Sequence, residues 1–157
     1  MGKRGWLARW FGIGDAEFKT LWKQGASAYE SGKFDEAVAY FDRALAVDPN
    51  EYLLLMMKGC ALEDAGRTEE AIRCYDRALE IAPHVPENWV RKGFCLVNMK
   101  QPRAGLVALE TGLTYSPRSG KLWAAKADVL RELGREEDAE KAWQRALELG
   151  YKPEAQA

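Results

Sequence analysis

The side chains able to do chemistry in this sequence are one histidine, three cysteines and two pairs of adjacent glutamates. His84 could act as a general base if a partner oriented its ring and a substrate proton lay within reach. It directly follows Pro83, and no acid or nucleophile is spaced to work with it, so it reads as a solvent-exposed loop residue. Cys60, Cys74 and Cys95 could supply thiolates for attack or for a metal. They are odd in number, form no C-x-x-C pair and have no histidine cluster beside them. That pattern fits neither a disulfide framework nor a zinc site, and it suits a reducing, cytoplasmic setting. Glu69–Glu70 and Glu136–Glu137 could form acid–base pairs, but each opens a helical stretch, where negative charge is favoured by the helix dipole. The sequence has no Gly-rich phosphate cradle and no nucleophile elbow. These residues point away from catalysis and call for no metal and no cofactor.

Composition narrows the classes further. Of the 157 residues, 47% are hydrophobic and 30% charged, a globular balance too apolar for a disordered chain. Lys and Arg number 23 against 24 Asp and Glu, so no basic excess is present to displace phosphate counterions, and nucleic acid is not an expected partner. The longest apolar run, Tyr52 to Met57, is far too short to span a bilayer. Lys3 and Arg4 are not followed by an apolar core with a small-residue cleavage site, so no secretory peptide is expected.

The elements that position these residues recur. Shifting the chain against itself by 34 residues brings four stretches into register: 18–51, 52–85, 86–119 and 120–153. Small residues recur at Gly25, Gly59, Gly93 and Ala127, then at Ala37, Ala71, Gly105 and Ala139, and again at Ala44, Ala78, Gly112 and Ala146. Bulky residues stand between them, at Leu21, Leu55, Trp89 and Trp123, then at Phe41, Tyr75, Leu109 and Trp143. Apolar residues within a unit follow helical spacing, as in Leu55, Gly59 and Leu62. The small columns let two antiparallel helices approach closely, and the bulky columns fill the space beside them. Gly32, Gly66 and Gly134 fall at the break between helices, where a left-handed backbone ends the first helix. Pro49, Pro83 and Pro117 close the second helices of the first three units. One hairpin cannot bury its apolar face alone, so neighbours must stack.

This pattern resembles the tetratricopeptide repeat family. The second unit carries the resemblance most fully, with Leu55, Gly59, Leu62, Gly66, Ala71, Tyr75, Ala78 and Pro83 at the signature positions. The resemblance covers residues 18–153 and implies an all-α fold, a right-handed α–α superhelix of four helix-turn-helix repeats. Residues 1–17 form a separate N-terminal amphipathic segment and residues 154–157 a short tail.

The third unit departs from the pattern. Lys100 stands where the turn glycine belongs, Pro102 lies near the start of the second helix, and Gly105 and Gly112 replace alanines. Two readings follow: the glycines soften the 103–115 helix, each costing about 0.5–1 kcal/mol relative to alanine, or they receive a bulky neighbour such as Trp89 or Trp123. The column Val38, Ile72, Leu106 and Glu140 turns polar in the fourth unit, as a terminal repeat requires.

In this family the first helices line the concave surface, and the resemblance implies that partners bind there. The groove positions are Lys19, Trp22, Lys23, Ala26 and Tyr29 in the first unit, and Leu53, Met56, Met57, Cys60 and Glu63 in the second. The third supplies Glu87, Val90, Arg91, Phe94 and Val97, and the fourth Lys121, Ala124, Ala125, Asp128 and Arg131. Chaperone-binding members clamp a terminal carboxylate with lysine and asparagine, whereas Trp22 and Ala26 stand at those positions of the first unit. The candidate binding residues are therefore Lys19, Trp22, Leu53, Met56, Met57, Cys60, Val90, Arg91, Phe94 and Val97. They form a largely apolar stripe with adaptable methionines, suited to an apolar helix or an extended segment of a protein or peptide. The competing reading is that curvature buries these side chains against one another.

The segment before the repeats carries Trp6, Leu7, Trp10 and Phe11 on one helical face, with Lys3, Arg4 and Arg9 nearby. Gly12 and Gly14 break it, and Asp15 is placed to cap the next helix. It could cap the first repeat, fill a groove of its own or a neighbouring chain, or rest on a membrane surface. The expected protein is a cytoplasmic, non-enzymatic interaction scaffold, a monomer or weak homodimer. The alternatives are a self-associating structural protein or a peripheral membrane adaptor.

Overall fold

The computed structural model describes residues 13–153, and these form eight α-helices with no strand among them. They pair in chain order as four hairpins: α1 (Ile13–Glu30) with α2 (Phe34–Val47), α3 (Tyr52–Asp64) with α4 (Thr68–Ile81), α5 (Pro86–Asn98) with α6 (Pro102–Tyr115), and α7 (Gly120–Glu132) with α8 (Glu136–Glu148). The helices group into two compact units that divide between Ile81 and Ala82. In the first unit α2 packs on α3; in the second α6 packs on α7, and α5 also meets α7.

Each first helix ends in the same pair of backbone hydrogen bonds. In the second hairpin the Gly66 N–H donates to the Glu63 carbonyl and the Arg67 N–H to the Leu62 carbonyl, and the bonds of Gly32–Lys33, Lys100–Gln101 and Gly134–Arg135 repeat this. This closure requires a left-handed residue. Gly32, Gly66 and Gly134 supply it at φ 72°, 77° and 69°, and in the third hairpin Lys100 is driven to φ 62°. The third turn lacks a second support as well. Arg67 holds Glu70 at 2.7 Å and Arg135 holds Asp138 at 2.6 Å across the start of the second helix, where the third hairpin has Gln101 and Ala104.

The small columns are explained by contact. A Cβ on Gly59 would lie 2.5 Å from the Tyr75 ring, a Cβ on Gly25 would collide with Phe41, and one on Gly93 would come within 3.0 Å of Leu109. Both readings of the third-unit glycines can be compared with the packing. Gly112 receives Trp89, as a Cβ there would lie 2.7 Å from the indole. Gly105 instead admits backbone, 2.7 Å from the Gly93 carbonyl oxygen, with Val97 beside it.

Stacking within each unit adds ion pairs. Lys58 holds Asp42 at 2.5 Å and Lys126 holds Glu110 at 2.9 Å, each lysine largely buried at the seam between successive hairpins. In the sequence these positions form a lysine column that begins with Gln24 and an acid column that ends with Gln144, so each column is neutral at its outer end. Glu140 is exposed, as the polar end of the array requires, whereas Val38 and Leu106 of that column are buried.

One expectation is corrected at the start of the chain. Asp15 does not cap the first helix, and Gly14 does not break the chain before it, because α1 already begins at Ile13 and contains both. A glycine costs least in a first turn, and an acid there is favoured by the dipole, so the helix extends through them. The rest of the N-terminal segment, residues 1–12, and the tail 154–157 lie outside the described residues.

Asn88 is wholly buried, and neither its amide nitrogen nor its amide oxygen has a hydrogen-bond partner. The equivalent positions in the second and fourth units are the buried Leu54 and Leu122. An unpaired buried amide costs about 1–3 kcal/mol, so Asn88→Leu should raise unfolding stability by at least about 1 kcal/mol in urea denaturation. Lys100→Gly should likewise stabilise by about 1 kcal/mol by relieving the left-handed backbone. No change, or a loss, in the Lys100 variant would contradict strain at that turn.

Candidate protein-binding face

The ten candidate residues divide between the first helices of the two units. In the first unit, α1 and α3 carry Lys19, Trp22, Leu53, Met56, Met57 and Cys60. Trp22 and Leu53 are 38% and 41% exposed, among the most open large apolar side chains of the described residues, and Met56, Met57 and Cys60 are half-buried. The Trp22 indole N–H points at the Met57 sulfur at 3.0 Å, joining the two helices across the face. Phe18, Trp22, Leu53 and Leu54, with Glu51 at one edge, line an open cleft of about 200 Å³. At the other end the Tyr29 hydroxyl donates to Asp64 at 2.5 Å. Lys19 is exposed.

Behind this face Tyr75 reaches through from α4. Its ring is buried against Gly59, and its hydroxyl donates to Glu63 at 2.9 Å and lies 3.6 Å from the Cys60 sulfur. Burial, reinforced by Cys60 and Glu63, holds the phenol far above its usual pKa, so it remains a neutral donor. It ties the backs of α3 side chains whose front edges line the candidate face.

In the second unit, α5 carries Val90, Arg91, Phe94 and Val97, all half-buried. The fourth hairpin departs from expectation. Ala124 and Ala125 are not groove residues, being 3% and 4% exposed. In the same unit α7 packs against α5, α6 and α8. Only Lys121, Asp128 and Arg131 of that set remain exposed, with Lys121 paired to Glu87 at 2.7 Å and Arg131 to Asp128 at 2.8 Å. None of the ten candidate residues is fully buried.

Sequence reasoning missed the role of two tryptophans. Trp89 and Trp123 donate their indole N–H groups to the carbonyls of Pro83 and Pro117, at 2.8 and 3.0 Å. Each ring thus fastens its hairpin to the preceding proline turn. The six-residue spacing was visible, but only the fold shows that the proline carbonyl faces the ring.

His84 is an exposed turn residue whose carbonyl accepts from the Ser116 hydroxyl. The three cysteines form no disulfide, and burial pushes the Cys74 thiol above its ordinary pKa, away from the reactive thiolate. Among the described residues no group of three or more His, Cys, Asp or Glu side chains is arranged to hold a metal. No helix among them is long and apolar enough to cross a membrane.

The Tetratricopeptide repeat family description matches residues 23–86 and 96–156, which is most of the chain. The chain belongs to the tetratricopeptide repeat family. No curated protein matches it. Similar solved structures include a crystal structure of MamA, at 18% identity over 95% of both chains with a TM-score of 0.74. Another is MamA from residue 41 onward of Desulfovibrio magneticus RS-1, at 19% identity over 84% of this chain and 75% of that one, with a TM-score of 0.72. At such identities the likeness is one of fold, and it establishes the tetratricopeptide helical repeat for this chain.

Tyr75 provides a test of how this repeat supports its face. Tyr75→Phe removes a buried hydroxyl and leaves the ring in place, and should cost about 1 kcal/mol of stability in chemical denaturation. An unchanged midpoint would show that the hydroxyl does not brace α3.

Proposed function

We propose that this tetratricopeptide repeat protein is a non-enzymatic interaction scaffold that receives an apolar helix or extended peptide on its first-helix faces. The observation that supports it most is the exposure of Trp22 and Leu53 beside the half-buried Met56 and Met57. Fully burying one such side chain is worth about 1.5–3 kcal/mol, and a contiguous apolar patch of this kind marks a contact site more often than idle surface. The thioethers adapt to different partner side chains. Phe94, Val90 and Val97 offer the second unit's α5 for the same class of contact.

The chemistry of the face defines the partner. A protein segment with apolar residues at helical or alternating spacing fits it better than a nucleic acid, because the chain has no basic excess, with 23 Lys and Arg against 24 Asp and Glu. The three cysteines form no disulfide, which suits the reducing cytoplasm as the place of action. Nothing on either face assembles a nucleophile with a base, which supports a binding role over a catalytic one.

Peptides selected from a display library against the wild-type chain test this reading. Leu53→Glu should weaken their binding at least tenfold by forcing a charge into a desolvated contact, and Phe94→Glu should do so for peptides that reach the second unit. Circular dichroism should show unchanged helicity in both variants. Selected peptides that bind both variants as tightly as the wild type would move the site off the first-helix faces.

A further inference from the structure

Polar pairs join successive hairpins inside each described unit. Asp42 pairs with Lys58 and Glu110 with Lys126, the Arg67 guanidinium reaches Asp35 at 3.1 Å, and the Tyr29 hydroxyl donates to Asp64. Each pair links one position of a hairpin to a fixed position of the next. The 34-residue register therefore states which residues would meet if a first hairpin followed the fourth. The Asp35 and Arg67 positions become Glu137 of the fourth hairpin and Lys33 of the first, opposite in charge. The Tyr29 and Asp64 positions become Arg131 and Glu30, again opposite. The Asp42 and Lys58 positions become Gln144 and Gln24, neutral amides that each donate and accept. All of these fourth- and first-hairpin side chains are exposed.

The outer sides of the first and fourth hairpins are thus complementary in charge, but they lack the apolar columns of an internal seam. Where α3 buries Leu54 and Ala61 and α7 buries Leu122 and Val129, α1 has Thr20 and Ser27, both exposed. The column with buried Val38 and Leu106 reaches exposed Glu140 on α8. Leu147 is left exposed on α8, whereas its equivalent Leu79 is buried. On the first hairpin Gln24, Ser27, Ser31 and Lys33 line an open cleft of about 230 Å³, where Gln144 and Glu137 of a second copy would come to lie. One position opposes the match, since Lys121, which holds Glu87 at 2.7 Å, would meet Lys19.

We infer that copies of this chain associate end to end, the fourth hairpin of one resting on the first hairpin of the next. The contact is heterologous, so it repeats from copy to copy and grows past two unless the rotation closes a ring. Exposed ion pairs contribute little individually and are screened by salt. With the apolar columns missing, the assembly is reversible and forms at high local concentration. Its pairs use none of Trp22, Leu53, Met56 or Met57, so it stands apart from the peptide-binding reading.

Sedimentation velocity of the full chain at low ionic strength tests this. The average mass should rise past that of a dimer as concentration increases from the micromolar to the millimolar range, and added salt should reverse the rise. Lys33→Glu and Glu137→Lys should each raise the concentration needed about fivefold, and the double variant should return to wild-type behaviour. Mixing the two single variants should also restore association, because each supplies the charge the other lacks, and that recovery shows that both are folded. A chain that stays monomeric throughout, growth that stops at the dimer, or a charge swap that recovers nothing would each overturn the proposal.

Discussion

Each hairpin depends on one steric fit, a bulky side chain of the second helix lying in the space that a missing or minimal side chain leaves on the first. Phe41 lies over Gly25, Tyr75 over Gly59 and Leu109 over Gly93. No real Cβ could occupy those points without moving the ring or the branched chain beside it, so the interhelical distance follows from glycine itself. Close approach on this side commits the remaining bulky positions of each first helix to its other faces. One row meets the neighbouring hairpin; the other carries Trp22, Leu53, Met56 and Met57 outward. The candidate face is thus a by-product of how the hairpin closes.

The third hairpin shows the same constraint met by other means. Gly112 yields its place to Trp89, and Gly105 allows the carbonyl of Gly93 to approach. Trp89 in turn stacks on Tyr115 at 6.1 Å and bonds to the Pro83 carbonyl. The cost of two helix-interior glycines is offset by burying the Trp89 indole. Its turn is poorer, with Lys100 strained and the supporting ion pair absent, so the aromatic contact and the turn act in opposite directions on the same element.

Periodic features were legible in the sequence because contacts between paired helices repeat every 34 residues and leave columns. The turn glycines, the helix-closing prolines and the small–large alternation all read correctly for that reason. Features that depend on a neighbour outside the repeat were not legible. Ala124 and Ala125 occupy groove positions by register, yet both are buried in the second unit, where α7 packs against α5, α6 and α8. Asn88 interrupts a leucine column, but its lack of partners appears only in the packed interior. The Lys58–Asp42 and Lys126–Glu110 pairs join residues 16 apart, a spacing that no single helix explains. The polar row on α1 was equally visible as residues and became informative only once the equivalent rows were seen buried.

The proposed binding role makes the first-helix face the working surface of the chain. Methionine supplies a built-in reporter, since Met56 and Met57 lie on that face in the first unit. Methyl-resolved NMR of the full chain labelled at methionine, titrated with a display-selected peptide, therefore examines the claim directly. A peptide seated on α1 and α3 should give saturable shifts at Met56 and Met57. Binding that leaves both face methionines unshifted would contradict it.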